Sequence, residues 1–385
     1  MRSWPLISLA AAASCLPLPA RAAEWTLTPE FTLLAIYDNN LTLKQENEQN
    51  VTGGSAIANL TLARKTARLE TSLSARADFT GYSPNSDLNS DEQRLRFASS
   101  YRFERSLAAL NAEYFRDTTL TLIEDENRGD VTSAERVTSW SVSPAWIYEL
   151  SALDRVEIAG SFRRREYDTP TRTNFDFYGA SLIWTRVFRQ DLRGTATIAL
   201  SKFEPEGLSA QQTIVTPQVG IQYTPTERFS VSASAGPQYI KTEQPVPFLD
   251  DEEEWGYAIK FGTNYLIDPR TKFQASFSRE AEPTGDGALR DRDRLSMRVE
   301  HRWSELLTLR LSGNLTMVDN TRFASSSAEE TWVIEPALVW RLAPDLDLTA
   351  SYRYRFQAYA DGTDVESHGV RVGVNYELDP LRWSE

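Results

Sequence analysis

The sequence predicts an all-β protein: a transmembrane, antiparallel, up-and-down β-barrel of about 18 strands, with short periplasmic turns and longer extracellular loops. Three observations carry this reading. Apolar residues recur at every second position in segment after segment. The connections between those segments alternate in length, short then long. An export signal opens the chain, and no cysteine follows it.

The signal comes first. Arg2 precedes an apolar run from Pro5 to Leu18, and Ala20-Arg21-Ala22 places small residues where a signal peptidase reads them. Residues 1–23 are therefore expected to be a cleaved signal peptide and residues 24–385 the barrel domain. A lipid-anchored reading would use Cys15, but Ala12 stands where such a site carries Leu. Cleavage removes Cys15, the only cysteine, and with it any disulfide or thiolate metal site. It also removes Arg2 and Arg21, taking the formal charge from -13 to -15. An acidic exported chain of this kind is a poor partner for nucleic acid. Only 41% of the residues are hydrophobic, and the mean hydropathy is -0.43. No later apolar run approaches the ~20 residues that a spanning helix needs.

The strands follow. In Ala67–Tyr82, Ala67, Leu69, Leu73, Ala75, Ala77 and Phe79 share one face, while Arg68, Glu70, Ser72, Ser74, Arg76 and Asp78 share the other. Phe229–Tyr239, Leu307–Met317 and Leu348–Phe356 behave alike. A helix would need apolar residues three and four apart, which these segments lack. Eighteen segments of this type begin near Trp25, Ser55, Ala67, Arg94, Ala108, Thr138, Arg155, Phe177, Leu192, Val215, Phe229, Trp255, Lys272, Leu295, Leu307, Glu330, Leu346 and Ser367. Eight connections are short, such as Asp268-Pro269-Arg270-Thr271. Nine are longer, near 39–53, 82–93, 117–135, 166–174, 203–212, 242–253, 280–293, 319–329 and 357–366. This asymmetry and the even count place both termini of the barrel domain on the short-turn, periplasmic side.

Aromatic residues cluster near strand ends on the apolar face. Trp146, Trp184, Tyr223, Phe229, Tyr265, Phe273, Trp303 and Trp340 are predicted at the turn rim. Tyr37, Phe79, Trp140, Tyr239, Trp255, Phe277, Trp332 and Phe356 are predicted at the loop rim. Two such belts are the interfacial girdles of a membrane barrel. The last strand ends Arg371-Val372-Gly373-Val374-Asn375-Tyr376-Glu377-Leu378, which is similar to the C-terminal signal read by the barrel assembly machinery. Here Asp379–Glu385 follow it, with Trp383 near the end.

Charge is sorted between loops and lumen. The long connections hold acidic runs, Glu124-Asp125-Glu126 and Asp250-Asp251-Glu252-Glu253. Positive residues fall on the inward parity. The expected channel-lining set is Arg68, Arg76, Arg94, Arg96, Arg102, Glu113, Glu157, Arg163, Arg165, Lys260, Arg298, Glu300, Arg302, Arg310, Glu335, Arg341, Arg353, Arg355 and Arg371. An Arg-biased lumen lowers the barrier for anions, whereas Arg–Glu ladders merely brace the wall; both readings stand. Phe115 and Phe177 are the inward aromatics that parity offers for stacking on sugars, and the longest loop, 117–135, is the candidate constriction.

Motifs for chemistry are nearly absent. His301 and His368 fall on the outward face near the rims, with no serine that parity brings beside either. No phosphate loop, zinc spacing or haem motif occurs. The chain is therefore read as a channel, not an enzyme, with no cofactor and no metal site.

The first strand ends Tyr37-Asp38-Asn39-Asn40-Leu41-Thr42-Leu43. A first strand ending in Tyr-Asp-Asn resembles the β-barrel porin type 2 family. That resemblance implies an outer-membrane barrel associated with exopolysaccharide biosynthesis, a conduit or accessory for polysaccharide working with periplasmic export components. The expected surroundings are outer-membrane lipid and lipopolysaccharide. A general diffusion porin unrelated to polysaccharide, or a plugged barrel serving as adhesin or receptor, fits the alternation equally.

Overall fold

In the computed structural model, the residues described are 23–384 apart from 46–47, 119–134, 171, 208–209, 245–250, 285–286, 319–327 and 360–361. They form one antiparallel sheet that closes on itself. The strands are β1 (Glu24–Asp38), β2 (Val51–Lys65), β3 (Leu69–Ser83), β4 (Ser90–Arg102), β5 (Ser106–Thr118), β6 (Arg136–Glu149), β7 (Asp154–Tyr167), β8 (Phe175–Arg189) and β9 (Leu192–Pro205). They continue as β10 (Gln211–Thr226), β11 (Phe229–Glu243), β12 (Glu252–Asp268), β13 (Thr271–Pro283), β14 (Leu289–Arg302), β15 (Leu307–Val318), β16 (Ala328–Ala343), β17 (Leu346–Tyr359) and β18 (Asp364–Glu377). Each pairs with the next, and β18 pairs with β1 from Glu30↔Glu377 to Asp38↔Gly369. The result is a closed 18-stranded barrel without a free edge along that seam.

The register converts parity into direction. Phe31, Leu33, Ala35 and Tyr37 of β1 face the same way as Tyr376, Val374, Val372 and Val370 of β18. This apolar set is open to the surroundings: Leu33 is 65% exposed, Val219 72% and Trp255 71%. Apolar exposure continued over every strand is stable only against hydrocarbon, so the outward face is the lipid face. The inward face carries Ser, Thr, Asn, Gln and charged residues, which need water or one another.

Short turns close by side-chain capture of backbone N–H groups. Asp268 accepts from the Arg270 N–H at 2.7 Å and from the Thr271 hydroxyl at 2.8 Å. Thr66, Ser151 and Ser304 accept the amide protons of Leu69, Asp154 and Leu307 at 2.9, 2.9 and 3.1 Å. Local capture of this kind favours a turn over continued strand. Arg68, expected on a strand, lies in the first of these turns, between β2 and β3, because Thr66 has already reversed the chain.

Three further differences from the sequence reading have clear causes. The connection expected over 280–293 is mostly strand: β13 runs to Pro283 and β14 starts at Leu289. Arg290-Asp291-Arg292-Asp293-Arg294 keeps the period of two with charges, its arginines inward and its aspartates outward beside Arg279. Phe277 stands midway along β13, opposite Phe261 and Leu295, rather than at the loop rim. A short nineteenth strand, β19 (Leu381–Ser384), follows β18 after Pro380 and pairs with Glu24–Leu27 of β1. Pro380 has no N–H for the ladder, which separates the two pieces. Trp383 then stacks on Trp25, with centroids 6.1 Å apart and planes 2° from parallel.

Outward charges do occur, but near the strand ends: at the turn rim Arg186 pairs with Asp154 at 3.2 Å, and two clusters lie at the loop end. Arg164 meets Glu166, Asp176 and Glu206 at 2.8, 3.2 and 2.8 Å. Arg279 bonds Asp291 and Asp293 and lies 4.7 Å from the Tyr257 ring centre. Above the apolar band such pairs sit at headgroup depth, where the cost of charge falls towards zero.

Candidate functional site: the lumen

The predicted channel-lining residues, Arg68 excepted, lie on inward positions of the register. Their partners differ, and that sorts them. On the wall from β3 to β5, Arg76 pairs with Asp78 at 2.8 Å. Arg96 pairs with Glu113 at 2.8 Å, and Arg94 approaches Glu113 and Asp117 at 3.5 and 3.7 Å. Elsewhere Lys260 pairs with Glu280 at 2.8 Å, Arg310 with Glu300 at 3.2 Å, Arg341 with Asp347 at 3.4 Å and Arg353 with Glu335 at 2.7 Å. Arg371 adds its field to Glu335 from β18. Arg302 reaches down to the Pro269 carbonyl at 2.8 Å, bracing a turn. Most of the positive charge counted in the sequence is thus neutralised within the wall.

Arg163 and Arg298 are different. Neither forms an ion pair or a side-chain hydrogen bond among the described residues, and both are open to lumen water. Arg163 stands in the field of Arg165, Glu282, Glu113 and Arg294, so charges of β5, β7, β13 and β14 converge on one level of the lumen. Arg102 and Glu157 also lack a hydrogen-bonded ionic partner among the described residues, and Arg102 lies near Glu70 at the turn end.

The inward aromatics are occupied. The Arg94 and Arg165 guanidinium carbons lie 5.5 and 6.0 Å from the Phe115 ring centre, and Arg165 is 5.7 Å from that of Phe175. Phe177 packs against a cluster of Val137, Tyr167, Phe175 and Phe203. Phe115 and Phe177 are therefore wall packing, not free stacking platforms. The cluster itself was missed: its members lie at strand ends, beyond the clean alternation.

That cluster receives Leu289, which comes from β14 on a distant part of the wall. The Leu289 N–H also donates to Gln212 Oε1 of β10 at 3.1 Å. The end of the β13–β14 hairpin therefore leans across the mouth. Its turn closes through Gly287 at φ +81°, a left-handed conformation that glycine adopts without a Cβ clash. Below it, Glu282 holds Arg292 and Arg294 at 2.9 Å each. Three inward arginines here, Arg290, Arg292 and Arg294, were absent from the predicted set; the alternating Arg-Asp run was their signal.

The mouth is narrowed from another side by the first long connection. Leu41, with Val51 and Leu88, forms a buried cluster packed by Tyr82. Arg355 anchors this fold: the two N–H groups of its Nη2 are shared among Asp38 Oδ2 at 3.0 Å, the Asn40 and Leu41 carbonyls at 3.2 and 3.1 Å, and Ser367 Oγ at 2.9 Å. Both Arg355 and Asp38 side chains are only 4% exposed. Asn40 closes the loop with Lys44 in both directions, at 2.9 and 3.0 Å. Arg355 points inward as predicted, yet it lies beneath the loop and does not line the path. The predicted constriction 117–135 falls almost wholly outside the described residues.

The opposite wall, β12 to β16, is built of amides and hydroxyls. A recess of about 670 Å³ opens there, lined in part by Asn264, Gln274, Ser276, Ser296, Arg298 and Asn314. A second, of about 390 Å³, lies on the β1–β5 side around Arg76, Arg94 and Arg96. His301 and His368 face outward, bonded to the Thr271 hydroxyl at 2.9 Å and the Tyr352 hydroxyl at 2.7 Å.

No family model matches the chain, and no curated protein matches it in sequence. Among solved structures it is similar to the outer-membrane channel DcaP of Acinetobacter baumannii, with TM-score 0.50 and 12% identity, covering 92% of this chain and 97% of that one. It also matches OccAB4 of Acinetobacter baumannii, with TM-score 0.47 and 12% identity over 93% of this chain and 98% of that one. The outer membrane protein opdK of Pseudomonas aeruginosa gives TM-score 0.47 and 12% identity over 93% and 99%. The likeness to DcaP is one of fold: a closed antiparallel β-barrel.

Proposed function

We propose that this chain is an outer-membrane channel that passes hydrophilic solutes with a lean towards anions. The observation that carries this reading is the inward face, polar over the height of the barrel, with Arg163 and Arg298 in no ion pair among the described residues. Neutralised pairs contribute little to the field along the axis, while an unpaired guanidinium in a confined lumen acts at full charge. The exported leader, insertion by the barrel assembly machinery and a setting among lipopolysaccharide belong to the same proposal. Reconstituted in planar bilayers, the folded protein is expected to give discrete conductance steps. Absence of any step from folded protein would remove the channel reading and favour a plugged receptor or adhesin.

A second reading, export of polysaccharide with periplasmic partners, is favoured by the Tyr37-Asp38-Asn39 strand end and by the amide and hydroxyl wall. Deletion of the gene in a polysaccharide-secreting host would then leave polymer inside the cell. Unchanged secretion would leave a general porin.

A further inference from the structure

We infer that the recess on the β12–β16 wall is a binding site for a carboxylate-bearing sugar, with Arg298 taking the carboxylate. The inference rests on the channel reading, since the ligand must reach the inner wall. Arg298 sits between Gln274 of β13 and Ser312 of β15 in the register. The inward acids on either side of it, Glu300 on its own strand and Glu335 on β16, are held by Arg310 at 3.2 Å and by Arg353 at 2.7 Å. A guanidinium open to the lumen with no protein carboxylate is matched by an anion from solution, in the two-point geometry that guanidinium and carboxylate share.

The surrounding groups narrow the class of anion. Gln274 Nε2 donates to Asn264 Oδ1 at 2.7 Å, and the Ser296 hydroxyl donates to Asn314 Oδ1 at 2.7 Å. Each bond fixes an amide and leaves capacity over: Nδ2 of Asn264 and of Asn314 as donors, and Oε1 of Gln274 as acceptor, with no protein partner among the described residues. Arg353 and Glu335 also line the recess but neutralise each other at 2.7 Å, so Arg298 is the cation there without an ion pair; donors and acceptors side by side around it complement vicinal hydroxyls next to one carboxylate. A simple fatty or aromatic acid would leave these amides unmatched. Gly262 keeps the floor low, because a Cβ there would lie 3.2 Å from Ser232 Oγ. A volume of about 670 Å³ admits a hexuronic acid with its water. The charged recess near Arg94 and Arg96 offers no such set, because its guanidinium groups already face Glu113 and Asp117.

The test uses the folded full-length barrel and three probes: galacturonate, galactose and acetate. Block of single-channel current is read against probe concentration. Galacturonate is expected to bind about ten-fold more tightly than either galactose or acetate, because it alone satisfies both halves of the site. Arg298→Gln should bring galacturonate down to the galactose value, and Asn314→Leu should weaken both sugars but not acetate. Arg163→Gln, outside the recess, should weaken galacturonate and acetate alike and leave the ratio between those two anions unchanged. Equal affinities for galacturonate and galactose would overturn the inference while leaving the channel intact; equal affinities for galacturonate and acetate would reduce it to a carboxylate site. If folded protein passes no current, the channel reading fails instead. Calorimetry with the same probes and variants on the detergent-solubilised barrel then decides the site by the same ratios.

Discussion

Arg355 and Arg298 have the same side chain and the same inward parity, yet they serve opposite ends. At the seam between β17, β18 and β1, Arg355 is buried under the first long connection, with four acceptors on one nitrogen. On the β12–β16 wall, Arg298 stands open to the lumen among amides and hydroxyls, beside a Glu335–Arg353 pair that is already closed. The difference teaches that strand parity gives a side chain its direction but not its depth. Depth is set by whether a loop folds back over it. An inward charge that is covered holds structure together; one that is uncovered shapes what can pass.

Breaking the seam should give the largest effect. Arg355→Ala leaves the Asp38 carboxylate buried without its cation, which costs about 3–5 kcal/mol. Urea unfolding of the barrel in lipid vesicles reads that loss, and Arg298→Ala should cost less than about 1 kcal/mol in the same assay. Similar losses for the two would erase the contrast. Next in size is Phe203→Ala. Phe203 is fully buried against Phe175, with ring centres 5.3 Å apart, so truncation should cost about 3 kcal/mol. It should also free Leu289 and raise single-channel conductance; stability lost without a conductance change would place the narrowing elsewhere.

Removing residues 379–385 deletes the Trp25–Trp383 stack and should cost about 1 kcal/mol. A much larger loss, or failure to assemble, would make this tail part of the folding signal. The smallest effect is expected for Arg96→Gln, whose half-open pair with Glu113 sits in lumen water: within about 1 kcal/mol, and with a slight shift towards cations. A strong selectivity change there would show that paired arginines also set the field.

Much of this was legible in the sequence, and the rest fails for physical reasons. Period-two alternation is a local property, so the strands and their facing could be read directly; β14 was cut short only because Arg290–Arg294 alternates in charge sign rather than hydropathy. Short turns such as those at Thr66, Ser151, Asp268 and Ser304 were legible because these side chains act locally. What alternation cannot carry is contact across the lumen. Leu289 against the Phe175–Phe203 cluster joins distant parts of the wall, and Arg355 beneath Asn40 and Leu41 joins residues far apart in sequence through a loop folded back over the seam. For the same reason the predicted lining set mixed neutralised arginines with free ones: pairing depends on register between neighbouring strands, which parity alone does not fix.

The central claim is that the unpaired arginines, and not the total count, give the lumen its charge preference. The direct measurement is the reversal potential across a planar bilayer under a potassium chloride gradient, for the wild type and for the Arg163→Gln/Arg298→Gln double variant. The wild type is expected to give a potential of the anion-favouring sign, and the double variant to lose it or change its sign. A wild-type channel that is already cation-selective, or a double variant indistinguishable from it, would contradict the account.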